Sequence, residues 1–268
     1  MGPFMAIPAA RAAAAASLLL CASSVAMAGP SCSARSGSQV LPLVELFTSE
    51  GCDSCPPADR FLSAAFSAEG GNPRASVLAF HVDYWDRLGW KDRFATSAHT
   101  QRQYAAMRAS GVTFVYTPQL LVQGQDVAPG KRERIPALVA AAGARPARAT
   151  LALDIATDDA HARIVRASAT VPPGTAAPRA QLWIAYTESG LVSDVKAGEN
   201  RGVRLAHDHV VRAWHGPYPA DVKGTADATV TIPRPAERGR MPAFVAVVLD
   251  EKTGEVLQTL TSHGCGAE

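Results

Sequence analysis

The sequence lacks a strong charge of one sign. Its 26 Lys and Arg against 24 Asp and Glu give a formal net charge of +2 over 268 residues. A chain so close to neutral has no basic excess for nucleic acid, so we expect none among its partners. After the N-terminus no apolar run reaches about 18 residues, so we expect no integral membrane segment. It also lacks a glycine-rich phosphate loop and a serine-nucleophile motif. These absences favour a globular protein, and we expect no cofactor.

The first 28 residues have the layout of a secretory signal peptide. Arg11 is the only charged residue before position 35, the apolar run Ala12–Leu20 follows it, and Ala-Met-Ala at 26–28 offers a cleavage site. A positive start, a short apolar stretch and small residues at the cut are typical of export signals. We therefore predict a signal peptide over residues 1–28 and a periplasmic or secreted mature chain, in a compartment where disulfides persist.

The pattern of predicted secondary structure in the mature chain changes near residue 147. Before that point, strand-like and helix-like runs alternate, with strands predicted over 40–47, 76–84 and 119–122 and helices over 57–66, 96–110 and 132–142. After it, turn signals separate short strands predicted over 149–156, 162–171, 180–187, 205–214, 228–232, 244–249 and 256–262. The first pattern predicts an α/β domain with a parallel βαβ unit, over 29–147. The second predicts an all-β sandwich-like domain over 148–268.

Two cysteines carry the sharpest chemical signal. Cys52 and Cys55 are separated by two residues, directly after the first predicted strand and at the start of the first predicted helix. Because the unpaired N–H groups of a helix N-terminus stabilise a thiolate, Cys52 is predicted to be an exposed attacking thiol. Cys55 would then resolve the mixed disulfide. The same spacing suits an inert structural disulfide, or a metal site if further ligands are present.

Histidine and aspartate provide weaker candidates for a metal site. His81 and Asp83 are two residues apart and are predicted to lie on one face of a strand, and His207 and His209 would form a similar pair. Ordinary hydrogen-bonded roles are the alternative for all four. A Cu or Zn carrier would use His81 together with the two cysteines.

Four segments carry a resemblance to a known family. They are VELFTSEGCDSCPPAD (44–59), FHVDYWDRLGWKDRF (80–94), YTPQLLVQG (116–124) and GENRGVRLAHDHVVRAW (198–214). Together they resemble domain-of-unknown-function family 1223 (DUF1223), exported bacterial proteins of the thioredoxin-like superfamily. The resemblance implies a thioredoxin-like fold with Cys52 and Cys55 in the redox positions. It also implies a cis peptide at Pro118, where Thr117 and Pro118 would dock a partner's backbone.

The sequence differs from thioredoxin itself in two respects. Asp53 and Ser54 stand between the cysteines in place of the familiar Gly-Pro, which leaves the redox poise open. Glu45 is the nearest candidate for a buried proton acceptor serving Cys55, but its spacing to Cys52 is one residue longer than in thioredoxin. A structural or exposed glutamate is the alternative.

Cys32 and Cys265 are the remaining cysteines of the predicted mature chain. In an oxidising compartment two leftover thiols tend to pair, so a structural Cys32–Cys265 bridge is predicted. The leading functional prediction is thiol–disulfide exchange with other exported proteins that carry thiols or disulfides. The alternatives are a binding or scaffold module whose Cys52–Cys55 disulfide is only structural, and the metal carrier.

Overall fold

The computed structural model describes residues 1–2, 31–67, 73–157, 162–175, 177 and 179–263. Nearly all of the predicted signal peptide lies outside these residues. Cys265 does too, so the Cys32–Cys265 bridge stays a prediction. The helices in the described ranges are too short or too polar to traverse a bilayer.

Strands make up most of the regular structure in these ranges. They are β1 (Ser31–Arg35), β2 (Leu43–Thr48), β3 (Ser76–His81), β4 (Gln119–Val122), β5 (Gln125–Val127), β6 (Thr150–Thr157), β7 (Ala162–Thr170), β8 (Ala180–Ser189), β9 (Leu191–Asp194), β10 (Arg204–His207), β11 (Val210–Pro219), β12 (Thr225–Pro233), β13 (Arg240–Asp250) and β14 (Val256–His263). The helices are α1 (Pro56–Ala65), α2 (Ser97–Ser110) and α3 (Ile135–Gly143), with 3₁₀ turns at Asp83–Leu88 and Arg132–Arg134.

Local sequence signals explain where the helices begin and end. Prolines occupy the first turn of α1, where their missing N–H groups cost no helical hydrogen bond. The side chain of Thr96 caps α2 by accepting a hydrogen bond from the backbone N–H of His99. Gly111 ends the same helix in the left-handed conformation, with φ of 74°.

One eight-stranded sheet runs through the molecule in the order β14-β13-β8-β11-β3-β2-β4-β5. β2 and β3 are parallel and are joined through α1, as predicted for a βαβ unit. β11 then pairs in parallel with β3 through Val210 and Ala79, and the backbone N–H of Ala79 donates to His209 O at 2.9 Å. The four-stranded antiparallel sheet β1-β6-β7-β12 and the β9–β10 hairpin complete the strand pairing.

Alternate residues of the large sheet pack into different cores. Val44, Leu46 and Val77 pack with α1 and α3 on one face, while Phe47 and Phe80 pack with α2 on the other. Further along, β8, β13 and β14 pack against the four-stranded sheet. Strands buried on both faces account for the continuous apolar runs in the sequence.

The predicted fold class, an α/β thioredoxin-like domain followed by an all-β sandwich-like domain, is wrong. The chain is predominantly β, and β11, β8, β13 and β14 continue the sheet begun by β2 and β3. The prediction failed because strands far apart in sequence share one sheet, and local patterns do not encode such long-range pairing. The division of the chain at residue 147 stays a prediction.

Candidate functional site

The cysteine pair lies at the carboxyl edge of the parallel strands. β2 ends at Thr48, opposite the last residue of β3, His81. The following loop carries Cys52 and Cys55, which form a disulfide with their Cα atoms 5.5 Å apart. Loops at this edge of parallel strands commonly carry functional groups. The structure therefore places the disulfide between the end of a strand and the first turn of α1, as the sequence indicated.

Both cysteines are fully buried, at 0% exposure. The prediction that Cys52 is an exposed thiol is therefore wrong for the disulfide-bonded protein. The two residues between the cysteines are exposed instead, and the Oγ of Ser54 lies 3.4 Å from the Cys52 sulfur. A reagent in solvent meets Asp53 and Ser54 before it meets either sulfur.

A segment from the far half of the chain holds the disulfide loop in place. The side-chain amide of Asn200 donates to Glu50 O at 2.9 Å and to Cys52 O at 2.8 Å. The carboxylate of Glu199 accepts from the backbone N–H of Asp53 at 3.2 Å. A Cβ at Gly198 would lie 3.7 Å from the Gly51 Cα, so this backbone is in close contact. We call residues 198–200 the clamp segment.

The Thr117–Pro118 peptide is cis, which confirms the predicted conformation. Trp85 connects this turn to the disulfide loop. Its ring Nε1–H donates to Thr117 Oγ1 at 2.8 Å, and its Cβ lies 3.1 Å from where a Gly51 side chain would begin. Thr117 and Pro118 are both partly exposed.

A buried ionic pair lies at the end of β3. His81 Nδ1 is 2.7 Å from Asp92 Oδ2, and both side chains are nearly inaccessible to solvent. The carboxylate of Asp92 also accepts from the backbone N–H groups of Glu50 and Phe94. Burial alone would raise the pKa of Asp92, but His81 and these hydrogen bonds outweigh it and lower the pKa to about 2. Burial opposes the charged form of His81 as well. The carboxylate of Asp92 nevertheless raises the pKa of His81 above its ordinary value.

Glu50 and His207 extend this pair but are incompletely hydrogen-bonded. Glu50 Oε2 accepts from Trp90 Nε1 at 2.6 Å, and Oε1 lies 3.3 Å from His207 Nε2 without the alignment of a hydrogen bond. The rings of His81 and His207 are 5.0 Å apart, edge to face. Within the described ranges, His81 Nε2, both ring nitrogens of His207 and Glu50 Oε1 have no hydrogen-bond partner. Buried polar atoms without partners are uncommon and often belong to functional sites.

Asp59 joins the group from α1. It lies one turn after Cys55, on the same helical face, and accepts from Thr48 Oγ1 at 3.1 Å. Burial raises the pKa of its carboxyl, although the positive charges of His81 and His207 oppose the rise. We call Glu50, Asp59, His81, Asp92 and His207 the buried acid–imidazole cluster, in which Asp59 is half-buried and the other four are buried.

The other candidates have different surroundings. Asp83 starts a 3₁₀ turn beyond the end of β3 and accepts from Thr100 Oγ1, so it does not share a strand face with His81. His209 follows the end of β10 with φ of 57°, so it is not on a strand face with His207. In the part of the chain that the structure describes, no three His, Cys, Asp or Glu side chains are arranged to hold a metal ion.

Glu45 has a structural partner. It is fully buried and forms two hydrogen bonds with the guanidinium of Arg102, at 2.8 and 2.9 Å. This pairing fits the structural role that the sequence left open. Asp59, which the sequence analysis did not single out, is the acid positioned near Cys55.

Most of the buried acid–imidazole cluster was missed from the sequence. Glu50, Asp59 and Asp92 belong to the two most specific motifs. Only the folded structure brings them into one cluster with His207, which lies in the second half of the sequence. The spacing of Asp59, four residues after Cys55, was the one local signal available.

Comparisons with known proteins give a family and a fold. Residues 43–249 match the family model described as protein of unknown function (DUF1223). No curated protein matches the chain. The crystal structure of protein AGR_C_4864 from Agrobacterium tumefaciens is 25% identical with a TM-score of 0.58, covering 87% of this chain and 98% of that one. HBP35 of Porphyromonas gingivalis is 12% identical with a TM-score of 0.64, covering 84% and 76%, and that likeness concerns the fold alone.

Proposed function

This chain belongs to the DUF1223 family, whose description gives no activity, and we propose that it exchanges thiols and disulfides with other exported proteins through Cys52 and Cys55. The observation that carries the proposal is a closely spaced disulfide at the start of α1, linked through Trp85 to the turn at Thr117 and Pro118. The positive end of α1 would stabilise a thiolate released there.

The proposed reaction begins with a partner thiolate attacking the Cys52 sulfur. The partner–Cys52 bond forms, the Cys52–Cys55 bond breaks, and Cys55 leaves as a thiolate. Asp59 lies one helical turn beyond Cys55, and the raised pKa of its carboxyl makes it the candidate proton donor to that thiolate. A second thiolate of the partner then attacks the partner's own sulfur in the mixed disulfide, the partner–Cys52 bond breaks and Cys52 leaves as a thiolate, so the partner is oxidised and the two cysteines are reduced. In the reverse direction Cys52 attacks and Cys55 resolves.

Exchange at a buried disulfide requires the clamp segment to move. The hydrogen bonds from Asn200 hold the backbone on either side of Gly51. Each such bond contributes about 1 kcal/mol, so losing both would raise the open population about thirtyfold. Thr117 and Pro118 would then present their backbone to the partner.

A redox titration tests this function. The protein is equilibrated with glutathione and dithiothreitol buffers of defined potential at about pH 7, and free thiols are counted by a mass-tagged alkylating reagent. We expect a reversible couple between about −120 and −300 mV. Asn200→Ala should react with dithiothreitol about thirtyfold faster, while Arg201→Ala, which alters an exposed neighbour, should react at the wild-type rate.

The second candidate function is a binding or scaffold module with a structural disulfide, and the complete burial of both cysteines favours it. A disulfide that resists reduction well below −300 mV, with no acceleration in Asn200→Ala, would establish this candidate and refute exchange.

Export and the identity of the partners belong to the same proposal. The disulfide supports a periplasmic or secreted location, since such bonds persist in oxidising compartments. Removal of residues 1–28 would leave Gly29 as the first residue of protein recovered outside the cytoplasm. N-terminal sequencing that found Met1 there would contradict it.

A further inference from the structure

A second concave site lies away from the cysteines. It is a cleft of about 380 Å³ between the end of β8, the start of β13 and the connection that joins β12 to β13. Clefts of this volume suit a small molecule. Neither cysteine lines it, and no clamp-segment residue does.

The lining carries an excess of positive charge. Among the described residues it includes four arginines, Arg163, Arg234, Arg238 and Arg240, and one acid, Glu188. That acid is already engaged from within the protein, because its two oxygens accept from Tyr186 Oη at 2.7 Å and Arg212 Nη1 at 2.6 Å. It therefore does not neutralise Arg234, Arg238 or Arg240, and none of these three forms an ion pair with another residue of the described ranges.

The acid of the neighbouring connection does not balance this charge either. Glu237 stands between two of the arginines in sequence, but its carboxylate pairs with Arg93 and does not line the cleft. In the described structure Arg234 Nε is buried without a hydrogen-bond partner. A buried guanidinium N–H without an acceptor is costly, and an anionic ligand would satisfy it.

Apolar side chains form the rest of the lining. Tyr186 and Phe244 are both buried, with ring centroids 5.1 Å apart, and Ile232 and Met241 lie beside them. Rings and aliphatic side chains bind an apolar body, whereas arginines bind carboxylate or sulfonate. An inorganic ion would leave this apolar surface unused.

We propose that this cleft binds a small organic anion, with a carboxylate or sulfonate held by the arginines and an apolar body packed on Tyr186 and Phe244. The site is independent of the disulfide, so a failure of one proposal leaves the other standing.

Fluorescence with anilinonaphthalene sulfonate as the probe tests this site on the full mature chain. We expect saturable binding to one site, weaker as NaCl is raised, with displacement by decanoate but not by decanol. The double substitution Arg238→Gln and Arg240→Gln changes two exposed residues and should weaken binding at least tenfold. Arg132→Gln with Arg134→Gln removes the same charge from an exposed turn and should leave binding unchanged.

Two results would overturn the proposal. Equal binding by the wild type and both double variants would show that the probe binds elsewhere. Displacement by decanol as effective as by decanoate, together with no salt dependence, would reduce the site to an apolar groove. The salt and competition measurements use only the wild type, so they decide the question even if a variant folds poorly.

Discussion

Glu45 and Glu50 are five residues apart, and both are fully buried, yet their surroundings differ. Glu45 forms two hydrogen bonds with Arg102 across to α2, in a complete pair. Glu50 belongs to the buried acid–imidazole cluster, where one of its own oxygens and three ring nitrogens have no partner among the described residues. A complete pair supports the fold, whereas incomplete bonding beside the disulfide marks the region whose protonation can change.

Breaking the complete pair should have the largest effect. Arg102→Met leaves the Glu45 carboxylate buried without a counter-charge, which we expect to lower the free energy of unfolding by about 3–5 kcal/mol. Urea denaturation at about pH 7 measures this. Adding Glu45→Leu removes the stranded charge and should recover most of the loss. If the double variant is as unstable as the single one, packing of the Arg102 side chain, and not charge, holds α2.

The second largest effect is expected from His99, which contacts the buried acid–imidazole cluster at His81. Its Nδ1 lies 3.1 Å from His81 O, and burial lowers its pKa to about 4 from an ordinary value near 6.5. The folded protein therefore binds fewer protons than the unfolded chain between these values. The contribution of neutral His99 to the free energy of unfolding is complete above pH 6.5. It is lost as the pH falls towards 4, which lowers the free energy of unfolding by up to about 3 kcal/mol.

Denaturant titrations at pH 7, 5.5 and 4 check this dependence. His99→Gln should remove that part of the pH dependence, while the same change at the more exposed His215 should remove much less. An identical pH profile for the wild type and His99→Gln would show that His99 does not resist protonation in the fold.

Matched substitutions at the two glutamates should give the smallest effect and the most direct comparison. Glu50→Gln keeps an oxygen for Trp90 but loses a carboxylate whose pKa the fold lowers, so the free energy of unfolding should fall by about 1 kcal/mol. Glu45→Gln loses a charge-assisted hydrogen bond to Arg102 and should cost about 1.5–3 kcal/mol. Equal losses at the two positions would show that the groups do not differ in structural importance.

Local signals predicted many elements near the site. The helix predicted over 96–110 corresponds to α2. It was predictable because the threonine that caps it and the glycine that ends it are adjacent to it in sequence. The strand at 119–122 was also predicted from its own residues, whereas the cis peptide before it was predicted from the family resemblance. The CxxC spacing identified the disulfide, and these features share a short-range cause.

Long-range features were not predictable in the same way. The pairing of Val210 with Ala79 joins residues 131 positions apart, and nothing in either segment specifies the other. The hydrogen bond from Asn200 to Cys52 O likewise joins residues 148 positions apart. The gathering of His207 with Glu50 follows from that pairing, because β10 ends just before β11 begins.

The pairing of β3 with β11 has a consequence for how the protein is made. A nascent chain that ends before residue 210 has formed β2 and β3 without the strand that completes them, so one side of β3 offers unpaired backbone groups. Such an edge is a template for association with other chains. Transport across a membrane before folding would keep that edge from forming until the whole polypeptide is available, and a holding chaperone would serve the same purpose during synthesis.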